Sequence, residues 1–142
     1  MTMYRTVPVI TYAAAARAVA LAVEIGERDG VATVAAVADP SMALVAFGRS
    51  DGATPHSAET SRRKAQTAAS TRKRTAQIPE ALATALPLGS GNQLTTIDGG
   101  FPIAADGHHI GGLGVAGGTP AQDAEIAAEV LERLADTTGI DR

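Results

Sequence analysis

The sequence predicts an α+β fold, an antiparallel sheet carrying helices, and three observations predict it. Apolar runs come in neighbouring pairs separated by turn residues, the pattern of hairpins rather than of strands joined by long crossovers. Stretches with apolar residues at helical spacing stand before, between and after those pairs. The 142 residues contain no internal repeat and no low-complexity linker, so a single domain over 1–142 is expected, long enough to bury a core.

In chain order, Val7 to Ile10 is a short apolar lead-in. Thr11 then offers an N-cap, and Tyr12, Ala16, Val19 and Val23 recur at helical spacing until Asp29-Gly30 supplies the stop. Val31 to Ala38 is almost continuously apolar, as a central strand covered on both faces would be. Asp39-Pro40-Ser41 ends it, Ala43 to Phe47 forms a second strand hairpinned to the first, and Arg49-Ser50-Asp51-Gly52 is a polar turn. Thr54-Pro55 opens a second helix that runs to about Arg74, with Ala58, Ala65 and Ala69 on one narrow face and Lys64 at its margin, able to aim inward. Six of the 12 basic residues sit here, as Arg62-Arg63-Lys64 and Arg72-Lys73-Arg74; three successive residues fan around a helix, so no single basic stripe results. Ile78 to Leu86 predicts a short helix, and Leu94-Thr95-Thr96-Ile97 is the candidate for an edge strand. In the last helix Ile126, Val130 and Leu134 mark the apolar face, and Gly139 the stop.

Between them lies the most informative stretch. Phe101 to Ala104 and Ile110 to Ala116 flank Asp106-Gly107, a two-residue hairpin signal. Thr119, Pro120 and Gln122 then form a capping box with proline at the first helical position. Glycine weakens a strand interior unless something must come close, so Gly111, Gly112 and Gly114 predict a close approach. Gly112 to Gly117 fits GxGxxG, but only one helix follows, too little chain for a dinucleotide unit. The amides of Gly117, Gly118 and Thr119 stand at a helix start, suited either to a carboxylate or phosphate or simply to their own cap.

Composition narrows the function. With no cysteine, disulfides, thiolate ligands and a Cys nucleophile are excluded, and no cluster with metal-ligand spacing is present. A net charge of -3 and 3% aromatic residues argue against nucleic-acid binding. No run has the length of a signal peptide or membrane span, so a cytoplasmic protein is expected.

Three segments carry a family resemblance. They are Val37-Ala38-Asp39 with Leu44-Val45-Ala46-Phe47 and Arg49-Ser50-Asp51-Gly52-Ala53; Lys64-Ala65-Gln66-Thr67-Ala68; and Gly99-Gly100-Phe101-Pro102-Ile103 through Gly117-Gly118-Thr119 to Gln122-Asp123. In that order they resemble the GlcG/HbpS family of haem-binding or haem-degrading-type domains, which also occurs as the C-terminal domain of PduO-type cobalamin adenosyltransferases. The resemblance implies a five-stranded antiparallel sheet flanked by helices, assembly into homo-oligomers from dimers to octamers, and for some members haem binding in sensing or redox response. Met42 replaces a usual turn glycine, Ser50 a usual Met and Ala116 a common Ser.

Two functions follow as expectations. The first is binding of haem or a related anionic small molecule, as sensor or carrier, with Arg49, Lys64, Gly117, Gly118 and Thr119 around the ligand. The alternative is a cofactor-independent enzyme of proton-transfer, lyase or isomerase type acting on a small carboxylate-bearing substrate, with Asp51 or Asp123 as base and His56 as proton shuttle. Both place the polar turn at Arg49 and Asp51 in one cavity with the amides of Gly117 and Gly118. An axial haem ligand would come from His56, His108, His109, Met42, Tyr4 or Tyr12. Of these His56 stands nearest the matched segments, whereas His108 and His109 read as surface residues.

Overall fold

The computed structural model describes residues 1–140; the last two positions of the expected 1–142 domain lie outside the described residues. Four strands, β1 (Val34–Ala38), β2 (Leu44–Arg49), β3 (Gly100–Ala105) and β4 (His108–Ala116), form an antiparallel sheet in the order β2-β1-β4-β3. Helices α1 (Tyr12–Asp29) and α4 (Pro120–Ile140) cover one face, and α2 (Ser57–Thr71) the other. The last helix passes through Gly139, where a stop was expected.

Most local signals act as their chemistry dictates. Thr11 Oγ1 accepts from Ala14 N at 3.2 Å, and Gly30 closes α1 in the left-handed region at φ 74°. Asp106 and Gly107 both have positive φ, 52° and 79°, the demand of a tight hairpin that follows the sheet twist. Met42 occupies the left-handed region at φ 72° in the β1–β2 turn, a conformation that glycine adopts without steric cost. The second helix begins later than Thr54-Pro55, at Ser57, and ends at Thr71, because Arg72 turns left-handed at φ 61°.

The five strands expected from the resemblance are four among the described residues, and Leu94 to Ile97 is not a strand. Its amides go to side chains: Thr95 N donates to Thr67 Oγ1 at 2.9 Å and Ile97 N to Thr95 Oγ1 at 3.2 Å, so no ladder can form there. The lead-in also adds no strand; Ile10 N donates to Ile110 O at 3.0 Å as a single bond beyond the end of β1. In place of one helix at Ile78 to Leu86 stand two single 3₁₀ turns, Thr75–Gln77 and Glu80–Leu82, and α3, Ala85–Gly89.

The two faces are built differently. Toward α1 and α4 lies the bulky core, with Val37, Leu113, Val115, Ile25, Ile126 and Val130 fully or almost fully buried. Arg28 joins α1 to Glu129 of α4 at 2.8 Å, and Arg133 reaches back to Glu24 at 3.3 Å. Toward α2 the apolar layer is only Ala36, Ala38, Ala65 and Ala69. There the helix backbone lies directly on β4: a Cβ on Gly114 would strike Ser61 O and come within 2.5 Å of Ala65 N, and one on Gly112 would strike Ala65 O. Helix α2 is thus the close neighbour of Gly112 and Gly114, while Gly111 lies against Ala38 O of β1.

Candidate functional site

The close approach of α2 carries Lys64 into the interior. Its ammonium donates to Val115 O at 2.8 Å and to Asp123 Oδ2 at 2.9 Å, and the two charged side chains are 1% and 3% exposed. Asp123 Oδ1 accepts from Gly118 N at 2.9 Å. Burial pulls the Lys64 ammonium below the usual lysine range, outweighing the opposite pull of Asp123. One pair therefore ties the middle of α2 to the end of β4 and the start of α4.

Two of the three expected anion-binding amides are already engaged within the chain. Gly118 N is taken by Asp123, and Thr119 N by Gln122 Oε1 at 2.9 Å while Thr119 Oγ1 accepts from Gln122 N at 3.2 Å, a reciprocal capping box. Asp123, both oxygens engaged and sealed from solvent, has no path to a substrate proton. The structure brings Lys64, Gly118 and Asp123 together, as a joint rather than a pocket.

Arg49 and Asp51 are exposed at the same end of the sheet but on its far strand. Val34 pairs with Arg49 on one side and with Ala116 on the other, so β1 separates the polar turn from Gly117 by two strand spacings, roughly 10 Å. A shallow cavity of about 270 Å³ beside Asp51 is lined by Ser50, Glu27, Gly30, Val31 and Ala32, without Gly117 or Gly118. Among the described residues, the cavity beside Asp51 therefore does not reach the Gly117 and Gly118 amides. Its obstacle is local: the Gly117 backbone packs against Ala32 O.

His56 lies elsewhere, at the head of α2. Its ring is exposed and makes no capping bond, while its carbonyl accepts from Thr60 N and Thr60 Oγ1, both at 3.2 Å. One and two turns further on, Thr60 and Arg63 border a groove of about 190 Å³ whose other wall is Pro87, Leu94, Thr95 and Ile97. The groove exists because Thr67 holds the 3₁₀-rich excursion against α2 through Thr95 N. Of its apolar lining Ile97 is 47% exposed, and Leu88, next in the chain to Pro87, is 72% exposed. Sequence reasoning missed this groove; the available signal was the apolar Leu94 and Ile97 in a segment with no covering partner.

The two adjacent histidines differ. His108 is exposed, but His109 is half-buried with Nε2 2.7 Å from Ala69 O, a partner the surface reading had not foreseen. Arg74 lies 4.2 Å over the Phe101 ring and reaches Asp98 at 3.5 Å. Among the described residues no cluster of His, Asp and Glu could hold a metal ion, and no helix is long and apolar enough to cross a membrane.

A family model described as haem degrading protein HbpS-like matches residues 10–132. Klebsiella pneumoniae protein ORFY, of family DUF336, superposes with a TM-score of 0.89 at 29% identity over 94% of this chain and 96% of that one. HbpS matches at 33% identity and TM-score 0.84 over 93% and 94%, and PduOC in its complex with haem at 25% and 0.81 over 87% and 94%. No curated protein matches the chain.

Proposed function

The chain belongs to the HbpS-like family, and from that premise we propose that it binds haem or a closely related anionic tetrapyrrole, as a carrier or sensor, along the outer face of α2. One observation carries the reading: an uncommitted imidazole, His56, stands on the helix whose following turns present Thr60 and Arg63 to a groove walled by Pro87, Leu94 and Ile97. Haem asks for an axial ligand, an apolar surface and a cation for its propionates. His56 supplies the first, Leu94 and Ile97 with exposed Leu88 the second, and Arg63 the third. Seven residues of helix put His56 and Arg63 about 10 Å apart along the axis, so one extended ligand can meet both.

The fit is to part of a porphyrin. A groove of about 190 Å³ is smaller than the roughly 300–1,000 Å³ of enclosing ligand sites, so much of the macrocycle would lie over Leu88 and Ile97. That open side is where a second copy of the chain would close the site, which accords with the expected homo-oligomer. Bound haem supplies a redox-active iron. The residues of the groove supply an imidazole, a guanidinium for a carboxylate and an apolar bed.

The experiment is a titration of the purified chain with haemin, read at the Soret band. A saturable red shift is expected, lost in His56→Ala and retained in His108→Ala. No spectral change in the unaltered chain removes the haem reading; a shift that survives His56→Ala removes His56 as ligand.

A further inference from the structure

We propose that a second site, on the opposite end of α2, binds the phosphate group of a small phosphorylated molecule. It is a cleft of about 180 Å³ where three segments meet: the lead-in with Arg5, the residue that ends α2, Arg72, and the β3–β4 turn with His108 and His109. Arg5 comes from the N-terminal segment, which lines the cleft with Thr6, Val7 and Pro8 and is bonded to β4 five residues further on, from Ile10 N to Ile110 O. Arg72 holds the left-handed position that ends a helix, where glycine is the usual occupant. Its own amide donates to Ala68 O at 3.0 Å, the main-chain bond that closes the helix.

The cleft offers donors without an internal acceptor of matching charge. Neither Arg5 nor Arg72 has an ion-pair partner among the described residues, unlike Arg28, Arg62, Arg74 and Arg133. His109 Nε2 faces a carbonyl, which only accepts, so that nitrogen carries the hydrogen and the ring orientation is fixed. Asp106 stands in the same turn but does not line the cleft. The negative end of α2 accounts for the His109 bond. It does not account for a guanidinium brought in from the N-terminal segment. Two forked guanidiniums from separate segments lining one cleft match the several oxygens of a phosphate, whereas one carboxylate is filled by a single fork. The cleft takes the phosphate group and leaves the remainder of the molecule outside.

The test uses the full chain and inorganic phosphate as probe, with thermal unfolding and calorimetry against chloride at matched ionic strength. Phosphate is expected to raise the melting temperature beyond chloride, and Arg72→Gly and Arg5→Gln each to weaken its affinity about tenfold, the loss of one charge-assisted bond. Arg72→Gly places the favoured residue in a left-handed position, so the variant folds and its loss of binding is interpretable. Equal responses to phosphate and chloride, or unchanged affinity in both variants, overturn the site, and tighter binding of malonate than of phosphate overturns its ligand class. His56→Ala leaves the phosphate response intact, so the haem reading and this one fail separately.

Discussion

Removing one partner of the Lys64–Asp123 pair leaves the other as an uncompensated charge in the interior. In Asp123→Ala the Lys64 ammonium keeps only Val115 O; in Lys64→Met the Asp123 carboxylate keeps only Gly118 N. With side chains 1% and 3% exposed and 2.9 Å apart, water cannot replace the lost partner, and each single change costs about 3–5 kcal/mol. In urea, with a slope of about 2 kcal/mol/M, the midpoint falls by about 2 M. The double change Lys64→Met with Asp123→Leu removes both charges and restores most of the stability, because an apolar pair replaces a buried ion pair at little cost. Lys64 also fixes the sign of a pH effect. Its folded-state value is depressed by burial, so between that value and its ordinary 10.5 the unfolded chain holds more protons. Stability of the unaltered chain relative to Lys64→Met therefore rises with pH through that window and is flat below it. Urea unfolding of the four proteins at a series of pH values reads both effects. A single-variant cost below about 1 kcal/mol, the range of exposed pairs, would refute the sealed joint.

Two further changes test the fold. Gly114→Ala forces a methyl against Ser61 O and Ala65 N, backbone that cannot swing aside, and is expected to cost at least about 3 kcal/mol, the upper end for overpacked cores; a soluble variant with an unshifted denaturation midpoint would show that α2 sits farther from β4. Met42→Gly removes a side chain from a left-handed position at φ 72° and is expected to gain about 0.5–1 kcal/mol after the added chain entropy of glycine; a loss in the same measurement would mean the Met42 side chain stabilises the turn.

Residues whose role is set by their immediate neighbours were legible in the sequence. Thr11 and Gly30 bound α1 as predicted, Asp106-Gly107 makes the hairpin, and Thr119 with Gln122 makes the capping box. The strand glycines announced a close approach, and Lys64 its inward aim, but neither could name its partner: Ser61 O and Asp123 are 53 and 59 positions away, joined only by the packing of α2 on β4. Leu94 to Ile97 misled because two β-branched threonines between apolar residues look like an edge strand, while the capture of Thr95 N by Thr67 is a tertiary event. The same capture opens the groove beside Arg63, so the candidate ligand face was hidden for the reason that the strand was mistaken. Arg49 and Asp51 drew attention as a polar turn; the strand order, which puts β1 between them and Gly117, could not be read from spacing.

In the proposed function the outer face of α2, headed by His56, receives a tetrapyrrole while the Lys64–Asp123 joint stays closed. Amide spectra of the isotopically labelled chain, recorded as gallium protoporphyrin is added, test it most directly. The signals of His56, Thr60, Arg63, Thr95 and Ile97 are expected to move together while those of Gly118 and Asp123 stay in place. Movement centred on Arg49 and Asp51, or on Gly117 and Gly118, with the α2 signals unchanged, would contradict it.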